Sequence, residues 1–306
     1  MILCNNEIAI LAMQQLFMNG ALKAVVVPEK NTALYSMLKQ MLTDTGVSLL
    51  AVNKKNLETT ITAVAAEKNI SSAWLMTFSY IIPKSLLSLL PGKFINFHYG
   101  ILPKYRGPNP ILAQMLQYET QSGITVHIVD EHIDTGPIIL QQKIMIEDTD
   151  TFGIQCRKLG MLGASMALNL LQLYQLGLLP PSVPQDESLA CYFKKPIVAD
   201  LMINWNTMTS KQVVRMINAC NPWNKGAGAL INNQVICLTD AEITENKIED
   251  NLQPGTIVCL NEKEGLKIIC NDNKTIKINI IYLPDGFFPG YKISSYGIKL
   301  NDRFIM

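Results

Sequence analysis

The sequence predicts an α/β protein with a mostly parallel sheet covered by helices on both faces, followed by a smaller β-barrel. In the first half, short continuous apolar segments alternate with segments whose apolar residues recur at helical spacing. Strands that are apolar throughout are typical of parallel sheets buried on both faces. Beyond residue 200, short β-like segments are separated by Asn, Asp, Gly and Pro, which favours a small closed or partly closed barrel.

In the first half, helices and strands alternate along the chain. Helical spacing occurs in EIAILAMQQLFMNG, ALYSMLKQMLTDTG and LETTITAVAAEKN, and strands are predicted at LKAVVVPE, VSLLAV, SAWLMTF and KFINFHYG. These are followed by a helix near PILAQMLQYE, two strands at GITVHIVD and IILQQKIMI, and a long apolar helix over residues 152–177. This alternation indicates a Rossmann-like sheet, and such open sheets bind ligands beyond the carboxyl ends of their strands.

Prolines mark the best candidate for a linker. The segment LLPPSVPQDESLACYFKKP contains prolines separated by acidic and polar residues: Pro180, Pro181, Pro184 and Pro196. We therefore predict a first domain over residues 1–180, a linker over 181–200 and a C-terminal domain over 201–306. In the last of these, a helix at TSKQVVRMINAC precedes the short strands AGALI, QVICL, GTIVCL, GLKIIC and TIKINIIYL, a pattern that predicts an OB-like barrel.

Composition limits the function classes. Lys plus Arg number 26 against 25 Asp plus Glu, so the net charge gives no argument for a nucleic-acid or anionic-membrane partner. The seven cysteines are odd in number and never spaced as C-x-x-C, which predicts reduced thiols in a cytoplasmic protein. Asn5, Asn6 and Glu7 interrupt the apolar N-terminus, so no signal peptide is expected, and no other stretch reaches the ~18 uninterrupted apolar residues of a membrane-spanning helix.

One of the three histidines ends a predicted strand, in FINFHYG. Alternate residues of a strand share a face, so Asn96 and His98 project together while Ile95 and Phe97 face the other way. The pair has two interpretations: hydrogen-bonded polar residues at a strand end, or two donors for an oxygen that gains negative charge during a reaction.

A second polar cluster follows the strand GITVHIVD. It consists of Asp130, Glu131, His132 and Asp134. Such loops are often only solvated caps, and the residue types could also bind a metal, but Asn96 is a poor ligand and no H-x-x-x-H or cysteine pair supports a metal site. A carboxylate that sets the charge of His98 is the more plausible role.

Two further features remain open at this stage. His127 lies on the strand face opposite Ile124, Val126 and Ile128, where it could either support the polar pair or simply be packed. The segment LPKYRG could form any ordered loop. It is a candidate for a functional role only because it directly follows the pair Asn96 and His98.

At these residues the sequence resembles a known family. NFHYGILPKYRGPNPILAQMLQYETQSGITVHIVDEHIDTGPII looks like the signature of the folate-dependent formyltransferases, which runs Asn-x-His, Leu-Pro-x-Tyr-Arg-Gly, Thr-Val-x-His and Asp-x-x-x-Asp-x-Gly. FSYIIPKSLL resembles the family's loop that helps to enclose the folate ring. Beyond the linker, YFKKPIVADLMINWNTMTSKQVVRMINACNPWNKGAGALINN and PGTIV are similar to the C-terminal domain of the methionyl-tRNA formyltransferases.

The resemblance implies an enzyme that uses 10-formyltetrahydrofolate as formyl donor and a primary amine as acceptor, with no metal. The amine attacks the formyl carbon and gives a tetrahedral intermediate with a negative oxygen. By likeness, Asn96 donates a hydrogen bond to that oxygen and protonated His98 supplies a second interaction. Asp134 would keep His98 charged and help to move protons, directly or through water.

The resemblance also implies the folate contacts. The loops at 79–82 and 129–136 would hold the folate, with backbone groups contacting the pterin. The expected contact residues are Ser79, Tyr80, Ile81, Ile82, Leu102, Val129, Asp130, Glu131, Ile133 and Gly136. Tyr105 and Arg106 are expected to order their loop or to face the acceptor.

The sequence departs from the family members that formylate initiator tRNA. Those begin with a longer strand and a Gly-Thr-Pro turn, where this chain has Asn5 and Asn6, and they carry a basic insertion after the second strand that contacts the tRNA. Here that segment offers only Lys30, and a tRNA-binding loop needs cations to contact phosphate. The acceptor could therefore be Met-tRNA, an amino sugar or a carrier-bound aminoacyl group. Two other functions also stay open: hydrolysis of 10-formyltetrahydrofolate, and an inactive folate- or nucleic-acid-binding module.

Overall fold

The computed structural model describes residues 1–90, 93–178, 181–247 and 252–305. The chain divides into two compact units. The first comprises Met1–Pro110, Gln121–Met145 and Cys156–Lys194, and the second comprises Ile111–Thr120, Ile146–Gln155 and Lys195–Met306. The predicted end of the first domain, at residue 180, lies outside the described residues, and the three-part division into domain, linker and domain stays a prediction.

Seven described strands form the sheet of the first unit. They are β1 (Ile2–Cys4), β2 (Ala24–Pro28), β3 (Ser48–Val52), β4 (Ala73–Met76), β5 (Phe94–His98), β6 (Gln121–Ile128) and β7 (Ile138–Met145). Their order is β3-β2-β1-β4-β5-β6-β7. Strands β1 to β5 are parallel to one another, whereas β6 is antiparallel to β5 and β7 is antiparallel to β6. The prediction of a mostly parallel α/β sheet is confirmed.

The helices coincide with the predicted helical segments, except for a four-residue helix at Lys84–Leu87, which falls in the segment FSYIIPKSLL that was expected to be a loop. Those of the described chain are α1 (Ile10–Met18), α2 (Thr32–Met41), α3 (Leu57–Glu67), α4 (Lys84–Leu87), α5 (Pro110–Leu116), α6 (Phe152–Leu176) and α7 (Ser210–Ala219). Local capping fixes the start of two helical segments. The side chain of Asn6 accepts from the Ile8 backbone N–H before α1, and that of Asn31 accepts from Leu34 in the first turn of α2. These caps place both asparagines beside the carboxyl ends of β1 and β2.

The core of the first unit explains why its strands are apolar throughout. All five residues of β2 are buried, and Leu3, Val26, Leu75 and Phe94 belong to one buried cluster. Each such side chain stabilises the fold by about 1.5–3 kcal/mol relative to an exposed one. Two-sided burial therefore fixes the register of the central strands, and with it the positions of the polar residues at their ends.

The second unit contains a six-stranded antiparallel sheet among its described residues. Its strands are β8 (Ala227–Ile231), β9 (Gln234–Lys247), β10 (Ile257–Asn261), β11 (Gly265–Ile269), β12 (Lys274–Leu283) and β13 (Gly286–Pro289). They follow the order β10-β11-β12-β9-β8, with β13 on β12. The segment near the C-terminus bridges both edges through Thr256–Arg303 and Leu230–Ile305. The expected β domain is thus confirmed, with these bridges joining its two edges.

Two features of the second unit differ from the predicted strands. Strand β9 continues to Lys247, well past the predicted QVICL, because it pairs with β12 along most of its length. Strand β13 was not predicted, since the segment GFFP is short and ends in proline, and only its pairing with β12 makes it a strand.

Within the described ranges, no helix is long and apolar enough to cross a membrane. All seven cysteines are free thiols.

Candidate active site

The candidate site lies where β5 and β6 pair. Asn96 is opposite His127 in the antiparallel register, and His98 is opposite Thr125. The alternation along β5 turns Asn96 and His98 to one face, as predicted, and the cross-strand pair brings His127 beside Asn96. The site therefore begins with three polar side chains that the register of two strands holds in place.

His98 is held on both sides of its ring. Its Nε2 lies 2.6 Å from the Tyr105 carbonyl oxygen, and its Nδ1 lies 3.4 Å from Asp134 Oδ1. The side chain is 5% exposed, so water contributes little to either nitrogen. Both nitrogens face oxygen acceptors, and an imidazolium, which has a proton on each nitrogen, satisfies both. The geometry thus suits a positively charged His98.

Asp134 is the point at which the polar groups converge. Its Oδ2 accepts from the Gly107 N–H at 2.9 Å, and its Oδ1 lies 3.4 Å from Asn96 Nδ2. Burial alone would raise the pKa of this carboxyl, but the charge of His98 and hydrogen bonds from His98 and Gly107 outweigh burial and hold the pKa far below its ordinary value. Asp134 is therefore an anion that its neighbours stabilise.

His127 belongs to the same cluster. Its Nε2 lies 3.1 Å from Asn96 Nδ2 and 3.8 Å from Asp134 Oδ1, while its Nδ1 lies 2.9 Å from the Ile128 carbonyl oxygen. A neutral ring with the proton on Nδ1 donates to Ile128 and accepts from Asn96. This arrangement orients the Asn96 amide. His127 thus supports the polar pair, which was one of its two open interpretations.

The loop after β5 supplies backbone groups to the site. Residues 105–107 provide the Tyr105 carbonyl to His98 and the Gly107 N–H to Asp134. The Arg106 side chain turns away and bonds both carboxylate oxygens of Glu187, at 2.6 and 2.9 Å. Tyr105 stacks on Phe193, with ring centroids 5.0 Å apart. The expectation that Tyr105 and Arg106 order their loop agrees with these contacts.

Gly107 is required by this geometry. Its φ is +118°, and a Cβ would lie 2.1 Å from the Phe193 carbonyl oxygen. Replacing Gly107 with alanine is therefore expected to lower the free energy of unfolding by about 2 to 4 kcal/mol, from backbone strain plus overpacking. Chemical denaturation measures the change.

Gly20→Ala is the matched control for this prediction. Gly20 also has a positive φ, +67°, but a Cβ there meets nothing within 4 Å. Its replacement is expected to cost only about 1 kcal/mol. Equal losses of stability in the two variants would contradict the steric argument at Gly107.

The expected folate loops lie at the ends of β4 and β6. Tyr80 and Val129 both pack partly against the core cluster of the first unit, and Lys84 Nζ, just after the first loop, lies 2.7 Å from Glu131 Oε1 of the second. The structure thus brings the two loops together. Ile81 and Ile133 are 66% and 44% exposed, which leaves apolar surface in each loop for a ligand.

Several other residues expected to contact the folate already have hydrogen bonds or close packing contacts within the protein. The Ser79 hydroxyl accepts from Asn5 Nδ2, and Asp130 accepts from the Thr135 hydroxyl at 2.7 Å. Gly136 is held against β6, where a Cβ would lie 1.8 Å from the Ile128 carbonyl oxygen. Ile82 is buried, so only its backbone is available to a ligand.

Leu102, another residue expected to contact the folate, already uses both of its backbone polar groups in hydrogen bonds within the protein. Its side chain is buried. Its N–H donates to the Thr125 hydroxyl at 3.1 Å, and its carbonyl accepts from Gln141 Nε2 at 3.0 Å. A direct contact from Leu102 to folate stays a prediction.

Sequence reasoning missed one residue that touches this network. Gln185, in the predicted linker, donates to the carbonyls of Asp134 and Gly136, each at 2.8 Å, and accepts from Arg106. No spacing or motif distinguishes this glutamine from its polar neighbours.

In the described parts of the chain, no group of three or more His, Cys, Asp or Glu side chains is placed to hold a metal ion.

Solved structures with this fold include formyltransferases. A Helicobacter canadensis N-formyltransferase, solved with folinic acid and dTDP-3-aminofucose, aligns with a TM-score of 0.69 at 20% identity over 90% of this chain and 96% of its own. HypX from Aquifex aeolicus, solved with tetrahydrofolic acid, aligns with a TM-score of 0.62 at 18% identity over 89% of this chain and 46% of its own. At these identities the likeness shows the fold.

Sequence comparisons show the family. The family model for formyl transferase matches residues 17–164, and that for the formyl transferase C-terminal domain matches residues 197–286. The methionyl-tRNA formyltransferase of Dictyoglomus thermophilum is 32% identical over 76% of this chain and 74% of its own length. That of Staphylococcus aureus is 35% identical over 67% of this chain and 64% of its own. The chain belongs to the formyltransferase family.

Proposed function

We propose that this protein transfers a formyl group from 10-formyltetrahydrofolate to a primary amine. The observation that carries the proposal is the convergence of two N–H donors on one anionic oxygen: Asn96 Nδ2 and His98 Nδ1 each lie 3.4 Å from Asp134 Oδ1. Contacts of this length in an unliganded site commonly shorten when substrate binds. The same donors are suited to an oxygen that becomes negative during acyl transfer.

When bound, 10-formyltetrahydrofolate supplies the formyl carbon that the amine attacks, and the formyl oxygen gains negative charge. The bond between that carbon and folate N10 then breaks, and N10 takes up a proton in place of the one that the amine loses. His98 meets this charge as a cation, since the Tyr105 carbonyl anchors Nε2 and leaves Nδ1 facing the cluster. Asn96 meets it with an amide proton whose direction His127 helps to set. Protein contacts hold both donors at the cluster before the reaction, and the formyl oxygen would share them with Asp134 Oδ1 as its charge develops.

Asp134 acts mainly through its charge. A carboxylate whose pKa lies far below its ordinary value binds a proton weakly, so it is a poor general base for the attacking amine. Its negative charge instead favours the protonated form of His98, 3.4 Å away. Of the two roles that the family resemblance implied, this one has the stronger support, and the amine proton would then leave through water.

The two loops at 79–82 and 129–136 fit a folate. Exposed Ile81 and Ile133 offer apolar surface to a flat ring, and backbone groups of the same loops are available for its polar edge. The loops approach each other through Lys84 and Glu131 beside the ends of β4 and β6. We place the pterin against them, next to Asn96 and His98.

The structure favours a small amine, such as an amino sugar, as the acceptor. Strand β2 ends at Pro28 and α2 begins at Thr32, so the connection is too short to form a basic arm. Its single cation, Lys30, lies 6.0 Å from the ring of Tyr80 and follows the acidic Glu29. A tRNA would gain little phosphate contact there.

Met-tRNA is the second candidate acceptor. It is favoured by the relatives named methionyl-tRNA formyltransferase, which are 32% and 35% identical to this chain. The short connection alone does not decide between the two classes. A carrier-bound aminoacyl group is a third acceptor to test.

A formylation assay tests the proposal. With 10-formyltetrahydrofolate, we expect formyl transfer to an amine in a panel of nucleotide-linked amino sugars, Met-tRNA and carrier-bound aminoacyl groups, measured by mass spectrometry of the products. Formate release at the same rate without any amine would instead indicate a hydrolase. Absence of both products, with folate binding retained, would indicate an inactive folate-binding protein and would overturn the proposal.

A further inference from the structure

A segment of the predicted linker is built into the first unit beside the candidate site. We call residues 183–193 the strap. Val183 bridges to Ile138 at the start of β7, and Tyr192 bridges to Arg106. Between these two anchors the strap passes the loop at 105–107 and the turn at 134–136. The strap therefore contacts both chain segments that hold His98 and Asp134.

Gln185 is the strap residue that joins the two segments. Its Nε2 donates to the Asp134 and Gly136 carbonyls, each at 2.8 Å. Its Oε1 accepts from Arg106, from Nη2 at 2.9 Å and from Nε at 3.3 Å. One carboxamide thus uses both of its ends, the N–H groups for the turn and the oxygen for the loop.

Both segments need such support. Asp134 has φ +58°, a left-handed conformation that is uncommon for a residue with a Cβ. Two backbone carbonyls of its turn point at one amide, which holds this conformation. Arg106 is 7% exposed, and its guanidinium is fixed by Gln185 together with Glu187. On either side of Arg106, the Tyr105 carbonyl and the Gly107 N–H contact His98 and Asp134.

We propose that Gln185 is a positioning residue of the active site. It links the Arg106 side chain to the turn at Asp134 and so sets the separation between His98 and Asp134. It does not touch the reacting atoms, because its polar atoms are used within the protein. The inference is tested in two ways. The kinetic test rests on the proposed formyl transfer, whereas the spectroscopic test does not depend on activity.

Gln185→Leu tests the inference kinetically. Leucine has a similar volume but neither donates nor accepts, so the turn and the loop lose their common partner. We expect kcat for formyl transfer to fall about 10- to 100-fold, as for other residues that orient catalytic groups, with the KM for 10-formyltetrahydrofolate nearly unchanged. A general loss of folding would instead lower the active fraction and the melting temperature, which circular dichroism detects.

The second readout is the nuclear magnetic resonance spectrum of the histidine rings. The chain has only three histidines, so the ring signals can be assigned individually. In Gln185→Leu, the ring nitrogen and proton shifts of His98 are expected to change because its contact with Asp134 changes. Gln40→Leu is the matched control, since Gln40 is exposed near the end of α2. It should alter neither kcat nor these signals.

Gln185→Glu separates the two contacts of the residue and replaces Gln185→Leu if the leucine variant fails to fold. Glutamate still accepts from Arg106, but it places an anionic oxygen against the Asp134 and Gly136 carbonyls. We expect it to be impaired as well. Wild-type kcat in Gln185→Glu would show that the turn does not depend on this residue and would overturn the proposal.

The outcomes distinguish the two levels of inference. If the wild-type protein transfers no formyl group, the proposed function fails, and the His98 ring signals alone decide whether Gln185 positions the site. If the wild-type protein is active, kcat within about twofold of wild type in Gln185→Leu overturns the positioning role, because such a change falls well short of the expected loss. Unchanged ring signals overturn it in either case.

Discussion

Replacing His98 with alanine is expected to lower kcat for formyl transfer by about 10³-fold, because the change removes a charged donor that faces the reacting oxygen. The KM for 10-formyltetrahydrofolate should change little, since the partners that His98 contacts, Tyr105 and Asp134, are not among the residues expected to hold the folate. Steady-state kinetics with the acceptor found in the panel measures both constants. This split between kcat and KM is the signature of an interaction made in the transition state.

The His98 variant also needs a test of folding. Alanine leaves the Tyr105 carbonyl and the Asp134 carboxylate without their histidine partner in a buried site, which costs stability as well as activity. Circular dichroism and the melting temperature separate the two effects. Gln40→Leu again serves as the control, because the chain's other histidines lie in or beside the same site. If folded His98→Ala retained near-normal kcat, His98 would not be the donor.

The face that carries Asn96 and His98 could be predicted from the sequence because strand alternation is a local property. The buried strands of the first unit were predicted for a similar reason, since their apolar character reflects burial on both sides. What the alternation could not supply was a partner for the pair. Asp134 follows Asn96 by 38 residues, and from the residues alone it was one of several acidic side chains in its loop. Only the family motif distinguished it.

The supporting contacts of the site could not be predicted. Whether His127 is packed or contacts Asn96 depends on the register between β5 and β6, which the sequence does not specify. The strap had the composition of a linker, with Pro184 and several polar residues, and such composition describes local stiffness, not tertiary contacts. Gln185 acquires its role only when the turn at 134–136 and the loop at 105–107 come together.

The site therefore combines two kinds of order. Asn96 and His98 stand on a buried strand, where the core fixes their backbone. Asp134 stands in a turn with a left-handed φ, held by hydrogen bonds instead of apolar packing. The carboxylate of Asp134 is the group on which the donors of Asn96 and His98 converge. The variant that removes this charge with the least change of shape is consequently the sharpest test of the whole arrangement.

Asp134→Asn is expected to lower kcat by about 10³-fold with the fold intact, because it removes the charge that favours protonated His98. Asparagine can still accept from the Gly107 N–H through its oxygen. Its amide nitrogen then faces His98 Nδ1 and Asn96 Nδ2, so donor meets donor where an anion had accepted from both. Asp44→Asn is the matched control, since Asp44 is exposed and has φ +59°. It should keep wild-type kinetics, and near-normal kcat in Asp134→Asn would contradict the assigned role.

The same variant has a signature in the pH dependence of stability. The pKa of Asp134 is lowered in the folded protein, so this carboxylate contributes stability that is fully present above its unfolded pKa, about 4, and is lost as the pH falls towards the lower folded value. Asparagine contributes nothing that titrates. At neutral pH the free energy of unfolding should thus be higher for the wild-type protein than for Asp134→Asn, and the difference should shrink as the pH is lowered below about 4. Urea denaturation of both proteins across this range measures the difference, and a difference that stayed constant on acidification would show that Asp134 is not held as an anion by its neighbours.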